Sequence, residues 1–353
     1  MKLLFNNSIS KKKYRLIKNR KSKNIFKIRR FYFKKISKRT IKWIYIFFLS
    51  YILFLFINNP FDINDKINSF VNHIFNNDIK AGLCVLGKKE NLYAKEFVNH
   101  YKELGYTHIF IYDNNDSGDE RFEEVLQEEI KSNFVSIINI RGIYPLNEIG
   151  GPQCLAYKDC YEKNSKNFDW LSFFDFDEFL ELPEALNIEK FLRNKRYKKC
   201  ENIKVNYLSY SDNELLNYDN RPVQERFTKP LIGHKSNMIV KSTVRGGLAQ
   251  NYWSNGCTPH TSFMNITSCN SLGEIINPNA GTLLSINYTF AYLKHYYTKS
   301  LEEYVNKTKR GDPYTHTNFD DQIKREKIEN YFFYNKNTSE KQTMIDKLFN
   351  NSN

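Results

Sequence analysis

The stretch from Trp170 to Glu181 constrains this chain more than any other. An apolar run, Trp170-Leu171-Ser172-Phe173-Phe174, leads straight into Asp175-Phe176-Asp177-Glu178-Phe179, and four carboxylates fall within the seven residues from Asp175 to Glu181. A short run this rich in aromatics reads as a strand covered on both faces, and i, i+2 spacing points Asp175 and Asp177 to the same side where that strand ends. Acids set against Phe173, Phe174, Phe176 and Phe179 are partly desolvated, a costly arrangement unless a cation or hydrogen bonds offset it. Such a pair is a seat for a hard divalent cation. Carboxylate oxygens suit Mg²⁺ or Mn²⁺, which complete their shells with water and substrate phosphates, so the implied substrate is a phosphate ester or diphosphate. Alone, Asp-x-Asp is a weak signal, and its plain alternative is a strand end capped by solvated acids.

The net charge of +14 on 353 residues invites a nucleic-acid partner, but its distribution argues against one. Residues 1–42 hold 17 Lys/Arg and no Asp/Glu, leaving 36 basic against 39 acidic residues afterwards. The body is slightly acidic and the basicity is a tail. That tail ends in an uncharged run, Trp43 to Ile57, broken by Asn58, Asn59 and Pro60. The run is shorter than the roughly 20 residues of an average span, though Lys42 can snorkel and a thin early-secretory bilayer can accommodate it. The long charged region before it and the lack of a small-x-small cleavage site read as an uncleaved signal anchor rather than a signal peptide. The positive-inside rule then gives a single-pass type II topology, with 1–42 as a cytosolic tail, 43–57 as the transmembrane anchor and 58–79 as a stem. A buried core helix is the alternative for 43–57. The tail's Lys/Arg, interleaved with Tyr14, Phe26 and Phe31, form a face attracted to anionic lipid.

All six cysteines, at 84, 154, 160, 200, 257 and 269, follow the anchor. An even count in a lumenal domain permits disulfides, and Cys257 with Cys269 is the most natural local pair. No C-x-x-C occurs, which disfavours zinc. Sequons at Asn115, Asn265, Asn287, Asn306 and Asn337 fit a glycosylated lumen, although a chain this rich in Asn produces several by chance.

From Lys80 strands and helices alternate. The patterns predict strands at 81–86, 108–112 and 135–140 and one ending at Asp175, with helices at 91–104, 119–131 and 152–163. This spacing indicates crossovers and a largely parallel sheet, with ligands at the carboxyl ends of the strands. The acids after the second strand, at Asp113, and after the fourth, at Asp175, are then candidate halves of one site. There is no G-x-x-x-x-G-K and no G-x-G-x-x-G, which disfavours a P-loop NTPase or a dinucleotide oxidoreductase.

Five pieces in order carry a resemblance: Gly87 to Glu96, Tyr101 to Gly105, Ile111-Tyr112-Asp113-Asn114, Asp169 through Phe179, and His295-Tyr296-Tyr297-Thr298-Lys299-Ser300. From about Lys80 to Gly311 the chain resembles glycosyltransferase family 92 and related family 2-like glycosyltransferases. The resemblance implies an α/β GT-A fold, Rossmann-like with a mostly parallel central sheet, over 80–335 behind the anchor, and a C-terminal helix or tail at 336–353. It also implies a nucleotide-sugar donor, Mn²⁺ or Mg²⁺, and inverting transfer to a glycan hydroxyl. Asp113 with Asn114 matches the nucleoside-contacting acid, and Glu90 an acid near the donor. Asp175 and Asp177 match the D-x-D pair, with Asp177 on the metal and Asp175 on ribose or a metal-bound water. His295 matches a C-terminal histidine on metal or diphosphate.

An inverting displacement needs a base beside the acceptor hydroxyl. Asp320, Asp321 and Glu178 are the candidates, although Asp320 and Asp321 also read as N-terminal acids of a helix and Glu178 as a strand-end brace. Lys299 and Arg310 are candidates to assist the leaving diphosphate. Tyr252, Trp253 and His260 are candidates for the acceptor site; Trp170, His100, His108 and His234 read as structural. The expected protein is a Golgi-membrane, metal-dependent hexosyltransferase, galactose being the family's suggestion, with no nucleic-acid partner. A catalytically silent glycan-binding or scaffold protein and a metal-dependent phosphoesterase are the competing readings, the latter short of histidines for a two-metal centre.

Overall fold

The structure, a computed structural model, describes residues 47, 50, 78–142, 151–248, 253, 257–310 and 321–350. The chain forms two compact units, Met1–Asp78 and Ile79–Asn353. In the first, Phe47 and Ser50 are helical. Apart from Asp78 and Ile79, the rest of the basic tail, anchor and stem lies outside the described residues, and among the described residues no helix is long and apolar enough to cross a membrane.

The second unit is built on strands β1 (Ala81–Gly87), β2 (His108–Asp113), β3 (Val135–Asn139), β4 (Trp170–Phe173), β5 (Glu178–Glu181), β6 (Asn202–Ser209), β7 (Val240–Arg245), β8 (Ser268–Cys269), β9 (Ile275–Ile276) and β10 (Tyr292–His295). Its main helices are α1 (Asn91–Glu103), α2 (Phe122–Val125), α3 (Gln127–Lys131), α4 (Gly151–Asn164), α5 (Ile188–Leu192), α6 (Val223–Arg226), α7 (Leu301–Lys309), α8 (Asp321–Tyr334) and α9 (Ser339–Asn350). The sheet order is β3-β2-β1-β4-β7-β6-β10-β5. The first four strands are parallel, as the alternation predicts, whereas β7 runs antiparallel to β4 and β6, and β5 antiparallel to β10. The expected mostly parallel sheet is therefore a mixed, parallel-rich one, because β6, β7 and β10 are joined by long connections that the local pattern does not orient.

The expected helix at 119–131 is two, α2 and α3. Leu126 between them leaves helical backbone, with φ −122° and ψ 26°, and its side chain is wholly buried. The strand expected to end at Asp175 stops at Phe173, so both aspartates stand in the turn Phe174–Asp177 between β4 and β5.

Aromatic packing holds that turn. The buried face of α1 sets Phe97 4.7 Å from the ring of Phe176 and 6.0 Å from Phe179. Tyr101 donates to the Glu178 carbonyl at 2.8 Å and accepts from Leu180 N at 3.2 Å. Phe122 stacks on Phe176 from the other side, 5.4 Å away and 6° from parallel. Gly87 ends β1 beneath these rings: a Cβ there would come within 2.4 Å of Phe122 and 2.7 Å of Phe176. Removing an enclosed ring such as Phe176 would cost about 3–5 kcal/mol. The acid turn thus rests on packed core.

The disulfides are Cys84–Cys160, Cys154–Cys257 and Cys200–Cys269. The expected Cys257–Cys269 pair is not formed. Cys269 is drawn away by strand pairing, since β8 runs beside the start of β6 with Cys269 opposite Ile203, next to Cys200. Cys257 is left to staple its loop onto α4.

Candidate active site

A cleft of about 550 Å³ opens over the acid turn, within the range usual for small-ligand sites. It is lined by Glu90 from the β1–α1 turn, by Asp175 and Asp177, by His260 from the stapled loop, by His295, and by Lys307 and Arg310 from α7 and its cap. Residues far apart in sequence meet here through strand pairing. Antiparallel register sets His295 opposite Glu178, and Tyr296 N donates to the Asp177 carbonyl at 2.9 Å. His295 Nε2 therefore stands 3.8 Å from Asp177 Oδ1.

The two aspartates differ in surroundings. Asp175 Oδ1 accepts from Gln153 Nε2 at 2.5 Å and Tyr157 OH at 2.9 Å, and Oδ2 from Lys241 Nζ at 2.7 Å. Burial pushes its carboxyl up, but Lys241 outweighs it and the pKa lies below the ordinary value. Asp177 Oδ2 accepts from Lys307 Nζ at 2.6 Å. Burial again raises its carboxyl, and Lys307, His295 and Lys299 together hold it far below the usual carboxylate range. Burial, with only partial opposition from Asp177, lowers the His295 imidazole to about 4, so it is neutral at neutral pH.

Glu178, a base candidate, does not line the cleft. It is wholly buried, with Oε1 2.5 Å from Tyr207 OH and 3.3 Å from Lys241 Nζ, and Oε2 accepting from Asp175 N at 3.0 Å. Burial raises it to about 8. These contacts make it a brace for the turn.

The remaining sequence candidates scatter. Glu90 Oε1 is 2.6 Å from Arg310 Nη2, and Arg310 Nη1 also donates to the carbonyls of Lys88 and Lys89, so α7 is clamped to the end of β1. Asp113 and Asn114 are buried but not in the cleft lining; Asp113 pairs with Arg141 at 2.7 Å. Lys299 is buried over the Tyr93 ring, 4.1 Å from its centroid. Trp253 packs edge-on against Phe263, 5.2 Å away and outside the lining. Asp320 and Tyr252 lie outside the described residues, as does the side chain of Asp321, which opens α8. The Asn115 sequon is fully buried and cannot accept a glycan as folded, whereas Asn265, Asn306 and Asn337 are exposed. Lys241, Lys307, Gln153, Tyr157 and Tyr207 escape sequence reasoning. A lone lysine inside the strand Val240–Arg245 was the one available signal.

The donor set fits a divalent cation. Ligand atoms of Asp177, Glu178 and His295 lie within 4.8 Å of one another. The oxygens of Glu178 are engaged, whereas His295 Nδ1 is buried without a partner and its Nε2 is too far from Asp177 for a hydrogen bond. One carboxylate oxygen and one neutral imidazole offer a divalent ion two ligands, the rest of the shell being left to water and phosphate.

The cleft at these strand ends is lined by both carboxylates and cations, Glu90, Asp175 and Asp177 beside Lys88, Lys307 and Arg310. The chain belongs to glycosyltransferase family 92, whose model matches residues 80–350. It is 28% identical over 114 residues to a glycosyltransferase family 92 protein of Ricinus communis and 27% over 113 residues to one of Oryza sativa subsp. japonica, each covering 32% of this chain. The matched segments span 19% and 18% of those relatives, about a fifth of their length. Among solved structures, S. aureus TarS in complex with UDP-GlcNAc aligns with a TM-score of 0.35 and 8% identity over 77% of this chain and 72% of that one. TarS in complex with UDP aligns at 0.26 and 12%, over 37% and 36%.

Proposed function

We propose that this chain transfers a hexose, galactose by family analogy, from a nucleotide sugar to a glycan hydroxyl with inversion. The observation that carries this reading is the meeting of Asp177 and His295, 3.8 Å apart, in a cleft whose other wall is Lys307 and Arg310. Asp177 and His295 would hold Mn²⁺ or Mg²⁺, which when bound supplies a Lewis acid for the departing diphosphate. Lys88 and Lys307 face the same space and would meet the phosphate charge. Asp175, locked by Lys241, orients the turn. The loop carrying Thr258, Pro259 and His260, stapled by Cys154–Cys257, forms the wall on which a glycan acceptor would rest.

The base would come from Asp320 or Asp321. Among the described residues, the carboxylates lining the cleft are Glu90, Asp175 and Asp177, and each is paired with a cation. Helix α8, which begins at Asp321, contributes Lys327, Asn330 and Tyr334 to the lining. The basic tail and the apolar run before Asn58 support a type II protein of the Golgi membrane.

The test is a panel of nucleotide sugars presented to the full-length protein with Mn²⁺, read by thermal shift and by transfer to glycan acceptors. One donor should stabilise the fold by mass action. Asp177→Asn should lower turnover by roughly 100-fold or more, beyond the usual loss for outer partners of a metal site, while melting as a folded protein. Absence of both binding and transfer would favour a silent scaffold, and phosphate release without transfer a phosphoesterase.

A further inference from the structure

Each aspartate of the acid turn carries a lysine, but the two lysines are not equivalent. Lys241 is completely enclosed and is shared between Asp175 and Glu178, at 2.7 and 3.3 Å. Lys307 stands on the cleft wall with 24% of its side chain exposed. Its ammonium makes two polar contacts, Asp177 Oδ2 at 2.6 Å and the Tyr297 carbonyl at 3.2 Å, and lies 4.4 Å from the Tyr297 ring centroid. The helix that bears it is clamped nearby: Arg310 grips Glu90 and the carbonyls of Lys88 and Lys89. The backbone at Lys307 is thus held while its four-carbon stem can change rotamer.

We infer that Lys307 is a displaceable counter-ion, holding Asp177 until a divalent cation and a diphosphate arrive and then passing its ammonium from the carboxylate to the phosphates. This rests on the reading of Asp177 and His295 as the cation's seat.

The argument is one of charge. Without ligand, Asp177 is buried and needs a positive partner, since a lone buried carboxylate is strongly unfavourable. A divalent ion beside Asp177 supplies that partner and repels the ammonium at contact range. A diphosphate brings back negative charge for the ammonium to meet. Cation alone displaces Lys307 without giving it a new partner, whereas cation with diphosphate does both, so the two bind with positive coupling. Lys241, with no exposed surface and two acids to serve, has no such freedom.

The test uses the full-length protein and measures Mn²⁺ binding by electron paramagnetic resonance, with and without UDP and corrected for the ion held by UDP in solution. For the wild type, UDP should tighten Mn²⁺ roughly tenfold, within the usual span of coupling between sites. Lys307→Met should bind Mn²⁺ alone roughly tenfold more tightly than the wild type and lose most of the coupling. In EDTA it should melt below the wild type, and Mn²⁺ should raise its Tm by more. Lys307→Arg keeps the charge and should keep the coupling, a check that holds if the Met variant does not fold. A lowered Tm in EDTA with wild-type Mn²⁺ affinity and coupling would make Lys307 a structural strut and overturn the handover alone. Absence of Mn²⁺ binding by the wild type, or binding that survives Asp177→Asn, would overturn the cation seat and the handover with it.

Discussion

Lys241→Met isolates what the buried ammonium does for the acid turn. Methionine fills a similar volume but leaves Asp175 and Glu178 without their shared cation. Breaking a buried pair by removing one partner costs about 3–5 kcal/mol. Asp175 would keep its bonds from Gln153 and Tyr157, and Glu178, raised to about 8, is already largely protonated at neutral pH, so the lower end, about 3 kcal/mol, is expected. For a domain of this size that is a drop in Tm of roughly 6–12 °C. The sign of the pH dependence is equally specific. In the wild type the Asp175 pKa is depressed, so its contribution is present above the unfolded carboxylate pKa and is lost as pH falls through the folded one. In the variant burial and the neighbouring Asp177 outweigh the remaining hydrogen bonds from Tyr157 and Gln153 and raise that pKa, so the folded chain takes up the proton first and gains relative stability as pH falls. The gap between wild type and variant should therefore narrow from pH 7 to pH 5. Calorimetry in EDTA measures it, and Lys241→Met/Asp175→Asn, which removes the stranded charge, should recover most of the loss in a double-mutant cycle. A Tm drop below about 2 °C, well under the expected range, or a gap that does not change with pH, would refute the reasoning.

His295→Ala removes the neutral imidazole beside Asp177 and, on the proposed function, should weaken donor and Mn²⁺ dependence roughly 10- to 100-fold, measured as the Mn²⁺ concentration for half-maximal turnover. Replacing Cys154 and Cys257 together by serine opens a bridge spanning 103 residues and should cost about 2–5 kcal/mol by calorimetry. It should also raise KM for the acceptor, and peptide mapping that links Cys257 to Cys269 instead would contradict the structure. Burial, seconded by Lys241, lowers His260 to about 4, so stability tied to its neutral form is full above the unfolded histidine pKa of about 6.5 and is lost as pH falls from there towards 4. His260→Gln should flatten that acid limb, by on the order of 3 kcal/mol, in melts taken between pH 7 and 4.

Local pattern was enough to determine the parallel half of this protein. The strands at 81–87, 108–113 and 135–139 and helix α1 lie within a residue or so of where alternation and helical spacing set them, because the first two strands are continuous buried runs and α1 buries Tyr93, Ala94, Phe97, Val98 and Tyr101 at helical spacing. The acid turn was legible too, since carboxylates beside Phe174, Phe176 and Phe179 conflict with burial wherever they sit. The partners that resolve the conflict were not legible. Lys241 lies 66 residues from Asp175 and Lys307 lies 130 from Asp177, and neither is near until β7 pairs with β4 and α7 folds over the strand ends. The same holds for the disulfides, where strand pairing beside β6 outweighed the short spacing of Cys257 and Cys269. Apolar periodicity is written along the chain because water is the same for every segment. A buried charge, by contrast, is satisfied by whichever residue the topology brings within about 3 Å, and that was decided by the tertiary structure alone.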